Sequence, residues 1–395
     1  MPAPFLADAQ ALADQITAIR RDLHAHPELG FQEIRTARIV AEQLAALGYE
    51  VATGVGKTGV VGLMAGGQEG ERTVLLRFDM DALPIHEEND VPYRSQTPGV
   101  MHACGHDAHV AVGIGVATVL AQHRERWGGT VKLMFQPAEE GLGGATAMIR
   151  DGVLKGPDVD AALGLHVSSG HPVGAAVVRS GALLAAADGF VITVRGHGGH
   201  GARPHETVDA VLVASHIVVA LQTIVARNLD PEDVGVVTVG SVQAGQAGNV
   251  IAETAVMRGT IRSFSQAARE QMHRRVREIA EGVAATLGAR AEVTLNFGVE
   301  ATVCAERPTA VVYDAAAEVL GRDKIDTTYR TTGGEDFSAV LAAVPGNFFF
   351  LGAADDERGI NAPHHNPRFD IDERCLPLGV AILCDSAVRI LNSGM

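Results

Sequence analysis

Cysteine is scarce in this 395-residue chain: four residues, at positions 104, 304, 375 and 384, and no C-x-x-C pair. That excludes a disulfide framework or a zinc-finger pattern, and free thiols in a reducing compartment are the expectation. The opening "MPAPFLADAQALADQ" has acids where a secretory signal would have a basic stretch, and no charge-free run of about 18 apolar residues suggests a membrane span. A cytoplasmic protein without a membrane partner is expected. There is no run of Lys and Arg, and the formal net charge is −15, both of which argue against a nucleic-acid partner. A G-x-S-x-G elbow is missing, which counts against a serine hydrolase. Low-complexity segments and solenoid repeats are missing as well.

What is present describes an ordinary globular protein, 47% hydrophobic and 20% charged. The length exceeds the roughly 250–300 residues at which one core usually splits, so two domains are expected. Apolar residues recur at helical spacing over 9–22 and 34–47. "YEVATGVGKTGVVGLMAGG" contains G-x-G-x-x-G at Gly54, Gly56 and Gly59, but the β-branched run that follows predicts a hairpin, not the helix that a dinucleotide fingerprint must open. Lys57-Thr58 is no phosphate loop either, because the first glycine of that motif would fall on Val51.

The runs 73–78, 130–135, 161–167 and 347–352 read as buried parallel strands, with a helix over 107–122 capped by Asp107. From 188 to 300 the order becomes β-α-β-β-α-β, the split βαβ signature of a small, largely antiparallel sheet. The expected fold is therefore α/β: a mostly parallel-sheet catalytic domain over 1–187 and 301–395, interrupted by an inserted α+β domain.

Ligands of open α/β sheets bind beyond the carboxyl ends of the strands. Those ends carry "DMDALP" with Asp79 and Asp81, "QPAEEG" with Glu139 and Glu140, and "LHV" with His166. "MHACGHDAH" adds Cys104 and His106, and "APHHNPRFDIDE" adds His364 and His365. Each stretch alone is unremarkable: an acidic pair is usually solvated, and a lone histidine usually sits on a loop. Their coincidence at several strand ends points to a site for a borderline divalent ion, zinc first, with manganese, nickel or cobalt as alternatives. Cys104 as a nucleophile is the weaker reading, since His106 two residues away is better placed to share an ion than to take the thiol proton.

Longer strings carry a family resemblance. "RRDLHAHPELGFQE", "RFDMDALPI", "MHACGHDAH", "FQPAEEGLGGA", "GLHV", "GHGGHGARPH", "GGEDFS" and "HHNPRFDIDE" run in order from 20 to 373. They resemble the amidohydrolase branch of the aminoacylase and carboxypeptidase G-type metallopeptidases, whose members include hippurate hydrolases, N-acyl-amino-acid deacylases and auxin-conjugate hydrolases.

The resemblance implies two divalent metal ions held by Cys104, His106, Glu140, His166 and His365, with His364 as the alternative to His365. It implies Asp81 as an orienting acid, Glu139 as general base, His200 as oxyanion donor, and Asn249 and Arg262 as holders of a substrate carboxylate. Asp79 stands where other branches have histidine, and its role is open. The substrate implied is an N-acyl-L-amino acid, hippurate-like or N-acetyl. Deacetylation of a biosynthetic N-acetyl-diamino acid, dipeptide or carboxypeptidase cleavage, and an inert metal-dependent binding protein are the alternatives. The insert would serve as lid and dimerisation domain of a homodimer, with a tetramer also conceivable.

Overall fold

The computed structural model describes residues 4–393. Its chain falls into two compact units. One comprises the residues up to Gly181 with Val303–Tyr329 and those from Asp336 onward; the other comprises Ala182–Thr302 with Arg330–Glu335.

The first unit is built on an eight-stranded sheet in the order Glu50–Val55, Gly59–Ala65, Gly128–Gln136, Gln68–Asp79, Ala161–Pro172, Gly346–Ala354, Ala176–Val177, Ile325–Asp326. The four apolar runs form its parallel centre. Each is buried because helices cover the sheet, which is why these runs do not alternate in polarity. The expected hairpin forms the antiparallel edge, with Gly54, Gly56 and Lys57 at φ 77°, 64° and 80° supplying the left-handed turn.

Helix His106–Gln122 lies in this core, buried at every residue from His106 to Leu120. A Cβ on its Gly113 would come within 2.7 Å of Phe78 and Phe135, so glycine sets how closely the helix meets the sheet. The expected cap is corrected: Gly105, at φ 89°, occupies the N-cap, and no side chain caps the helix. The Asp107 carboxylate instead accepts from Arg20 Nε and His24 Nδ1, both at 2.8 Å. A buried arginine must be paired, and that demand overrides a local cap. Helix Cys375–Asn392 is long and apolar enough to cross a membrane, yet 78% of it is buried within the protein. It serves as a core helix.

The second unit is a four-stranded antiparallel sheet in the order Gly235–Ala244, Thr254–Ser263, Ala186–Arg195, Arg290–Val299. Strand Ala186–Arg195 alternates buried and partly buried residues, the signature of one covered face. Phe190, Ile192 and Val194 from it pack with Ile217, Leu221, Met272 and Val276 from helices Ala210–Leu221 and Gln266–Thr286. The Asp209 side chain accepts from Val211 N and Leu212 N and caps the first of these helices.

Buried Asp188 ties this unit together. It accepts from Arg269 Nε and Nη2 at 2.7 and 2.6 Å, from His273 Nε2 at 2.7 Å and from Gly298 N at 2.9 Å. Burial alone would raise its pKa, but these donors hold it below the usual carboxylate range. A depressed carboxylate contributes stability above its unfolded pKa of about 3.9, and that stability is lost as pH falls through the folded value. Asp188→Ala leaves Arg269 buried and unpaired, so a loss of about 3–5 kcal/mol at neutral pH is expected. The difference from wild type should shrink below about pH 3.9. Urea unfolding followed by far-UV circular dichroism at both pH values checks this; equal midpoints at neutral pH would contradict it.

Candidate metal centre

The carboxyl ends of the central strands place the site. Asp79 pairs with Gln136 on one side, and Arg77 pairs with Gly164 on the other, so His166, two residues beyond Gly164, stands level with Asp79. Its other neighbour in the sheet is Phe350. Helix His106–Gln122 carries His106 as its first residue, and the loop that precedes it carries Cys104.

Five overlapping sets of donor atoms result, each with its members within 4.8 Å of one another: Cys104, His106 and His166; Cys104, Glu140 and His365; His106, Glu139 and Glu140; Asp79, His106 and His109; Glu139, Glu335 and Asp336. All five ligands expected from the sequence thus lie together with Glu139. Cys104 Sγ is 3.5 Å from His166 Nε2, and His365 Nε2 is 3.2 Å from Glu140 Oε1.

The hydrogen bonds fix which nitrogen each histidine offers. His106 Nδ1 donates to the Asp81 carbonyl at 2.9 Å, and His166 Nδ1 donates to the Val167 carbonyl at 2.7 Å. Both Nε2 lone pairs are therefore free to ligate. His106 Nε2 is buried without a hydrogen-bond partner among the described residues, while Glu140 Oε1 is buried against His365 Nε2. Unpaired buried polar atoms are costly, and atoms that converge on a thiol in this way suit a divalent cation. Burial pushes the Cys104 thiol well above its ordinary value, so ionising it as a ligand calls for positive charge beside it. The residues fit a metal site of thiolate, imidazole and carboxylate donors.

His364 also approaches, its Nδ1 3.8 Å from Cys104 Sγ. Its Nε2 accepts from Ser169 N at 3.3 Å, which leaves the proton on Nδ1 and turns an N–H, rather than a lone pair, toward the sulfur. His102, from the same cysteine-histidine stretch, joins none of these sets; burial pushes it down to about 4, and it is neutral.

Asp81 organises the centre from below. Its Oδ1 accepts from Glu139 N and its Oδ2 from Glu140 N, both at 3.0 Å, and Oδ1 also lies 3.3 Å from His106 Nδ1. Burial alone would raise this carboxyl, but His106 and the two amides hold it below its usual range.

Asp79 has a different task. It accepts from Arg77 Nη1 at 2.7 Å and from His109 Nδ1 at 2.5 Å, and His106 Nε2 is 3.5 Å away. His109 Nε2 in turn accepts from Val167 N at 2.9 Å. Both nitrogens of His109 are thereby used within the protein, and it braces the His166 strand against Asp79.

The sequence reading missed four supporting residues: Arg77, His109, Gln136 and Asp336. Asp336 accepts from Gln136 Nε2 at 2.6 Å and from Ala145 N at 2.9 Å, and its own N–H faces Glu139 Oε1 at 3.4 Å. All four stand inside strings that marked the family, but only the pairing of distant strands reveals their partners.

His200, Asn249 and Arg262 belong to the second unit. His200 pairs with Val250 in a short two-stranded ladder, and Gly201 N donates to the Asn249 carbonyl at 2.8 Å, so His200 and Asn249 are neighbours. His200 Nδ1 accepts from Ala202 N at 3.0 Å, which places the proton of the neutral ring on exposed Nε2. Arg262 lies elsewhere. Thr254 pairs with Arg195, toward His200, whereas Arg262 pairs with Ala187 at the far end of the same strands. Those eight residues of extended strand measure about 26 Å.

A model of peptidase family M20/M25/M40 matches residues 75–389. Thermostable carboxypeptidase 1 of Saccharolobus solfataricus is 40% identical over 391 residues, covering 98% of both chains. N-acetyl-L-cysteine deacetylase of Bacillus subtilis is 38% identical over 382 residues, 97% of this chain and 89% of the relative. Among solved structures, the Bacillus subtilis YXEP protein, described as a dinuclear metal binding peptidase from the M20 family, superposes with a TM-score of 0.85 at 34% identity, covering 97% of this chain and 99% of that one. These likenesses and the clustered donors support two metal ions, and the chain belongs to peptidase family M20/M25/M40 as a metal-dependent amide hydrolase.

Proposed function

We propose that this enzyme cleaves N-acyl-L-amino acids, hippurate-like or N-acetyl, into a carboxylate and a free amino acid in the cytoplasm. The observation that carries the reading is the Glu139–Glu140 pair, its two backbone amides held by one carboxylate beside the Cys104–His106–His166 cluster. Adjacent carboxylates fixed in this way can divide the work, Glu140 on metal and Glu139 on water.

Cys104, His106, Glu140, His166 and His365 would hold two ions, zinc first by the softness of its donors, with manganese, nickel or cobalt as alternatives. When bound, the ions supply Lewis-acid polarisation of the amide carbonyl and acidify water. Glu139 takes the proton from the attacking water and returns it to the leaving amine. His200 donates from Nε2 to the developing oxyanion, and Asn249 and Arg262 hold the substrate carboxylate. The deacetylase name of one relative favours an acyl group as the part released. The carboxypeptidase name of another favours a second reading, in which the bond cleaved is a peptide; both substrates end in a free carboxylate.

The placement of His200 beyond the Thr254 end of strand Thr254–Ser263 and of Arg262 near its other end supports a homodimer. One small substrate does not span about 26 Å, so if both residues serve it, they come from different copies. Val211, Leu212 and Val219 on helix Ala210–Leu221 are 43%, 52% and 71% exposed, an apolar face that a second copy would cover.

Glu139→Gln should lower kcat by about 10²–10⁴-fold with two ions per chain retained, whereas Glu140→Gln should lose metal. Elemental analysis beside initial rates separates the two, and the opposite pattern would reverse the division of labour. For the shared site, inactive Glu139→Ala and His200→Ala subunits are mixed under conditions of verified exchange. Half the dimers are then mixed, each with one intact site, so activity should return to about a quarter of wild type. No recovery would place His200 and Glu139 in the same chain's site.

A further inference from the structure

The stretch "RRDLHAHPELGFQE" marks the family but supplies no ligand and no proton carrier to the mechanism above. Its last residue, Glu33, is fully buried, 105 residues from the turn it contacts. Glu33 Oε1 accepts from Ala138 N at 2.9 Å, and Glu33 Oε2 accepts from the Thr58 hydroxyl at 2.5 Å. Ala138 immediately precedes Glu139 and holds φ at 53°, a left-handed conformation that costs a non-glycine residue about 1 kcal/mol or more and persists only where its surroundings impose it.

The whole turn is wound tightly. Glu139 O accepts from Gly141 N at 2.6 Å and Ala138 O from Gly144 N at 3.1 Å, and a Cβ on Gly144 would sit 1.6 Å from the Pro137 carbonyl oxygen. Three successive amides, of Ala138, Glu139 and Glu140, thus point at two buried carboxylates, Glu33 taking the first and Asp81 the other two. Thr58, on the hairpin loop whose glycines imitate a nucleotide fingerprint, holds the far oxygen of Glu33.

We propose that Glu33 is a positioning residue for catalysis: by binding the Ala138 amide it imposes the left-handed kink that aims Glu139, and the Thr58 loop holds Glu33 in place. The proposal rests on the reading of Glu139 as the base. Asp81 alone fixes the two amides that follow, but rotation about Ala138 would still swing the chain entering the turn. Without Glu33 the Ala138 amide is buried and unpaired, and the turn relaxes toward an ordinary backbone conformation. Errors of about 1 Å in a catalytic group can cost about 10²-fold in rate.

The test is a double-mutant cycle between Glu33→Ala and Glu139→Gln, with Glu33→Gln as the conservative variant, reading kcat, KM and bound metal by elemental analysis in the holoenzyme. Glu33→Ala should lower kcat by about 10- to 100-fold with KM within about 3-fold and two ions retained. Glu33→Gln, whose carbonyl oxygen can accept from Ala138 N and whose amide can donate to Thr58 Oγ1, should restore kcat to within about 5-fold of wild type.

In the Glu139→Gln background, Glu33→Ala should cost almost nothing further, because the group it positions is gone. The same loss in both backgrounds, or wild-type kcat in Glu33→Ala, overturns the positioning role. Wild-type kcat in Glu139→Gln alone overturns the base reading, a result the cycle reports separately. Should Glu33→Ala fail to fold, Thr58→Val, which keeps shape and removes only the hydroxyl, takes its place in the cycle with an expected loss of about 3- to 10-fold.

Discussion

The centre depends on one buried carboxylate, Asp81. Its two oxygens accept the amides of Glu139 and Glu140, and its backbone carbonyl accepts from His106 Nδ1. These contacts turn the His106 lone pair outward on Nε2 and set the direction of the two glutamates. Under the proposed roles, ligand orientation and base orientation therefore have a common cause. Neighbours of this kind typically change metal affinity by about 10- to 100-fold when removed.

Around Asp81 the protein builds a second buried ionic layer, Arg77 with Asp79 and Asp336, and Arg20 with Asp107. Burying charges in this way adds little net stability, but removing one member leaves the other uncompensated. What the layer provides is rigidity. Asp79 braces His109, which takes the Val167 amide from the strand that carries His166; Asp336 joins strand Gly128–Gln136 to the helix that starts at Gly144. Side chains on a rim held in this way keep their relative positions without relying on the flexible part of any loop.

Much of this was legible in the sequence. The four apolar runs are strands because helices cover the sheet at its centre, and a short, nearly continuous apolar run has few other stable places. Glu140 and His166 stood out because the chemistry of an α/β sheet gathers at strand ends, Cys104 and His106 because their short stretch is dense in metal-type donors, and the family resemblance then implied all four as ligands. Other features depended on distant partners. Asp107 looks like a helix cap until Arg20, 87 residues away, claims it. Glu33 and Thr58 look like parts of a helix start and a hairpin until the fold brings Ala138 to them. The opposite placement of His200 and Arg262 follows from the pairing of strands Ala186–Arg195 and Thr254–Ser263, which periodicity does not reveal.

If one carboxylate orients both ligand and base, weakening it should be felt in metal binding. The most direct measurement is a metal titration of the metal-free Asp81→Asn enzyme by equilibrium dialysis. The Asn side chain keeps the shape but turns an NH₂ group toward one of the two glutamate amides, so a loss in affinity of about 10- to 100-fold for at least one ion is predicted. Two ions bound with wild-type affinity would contradict the account.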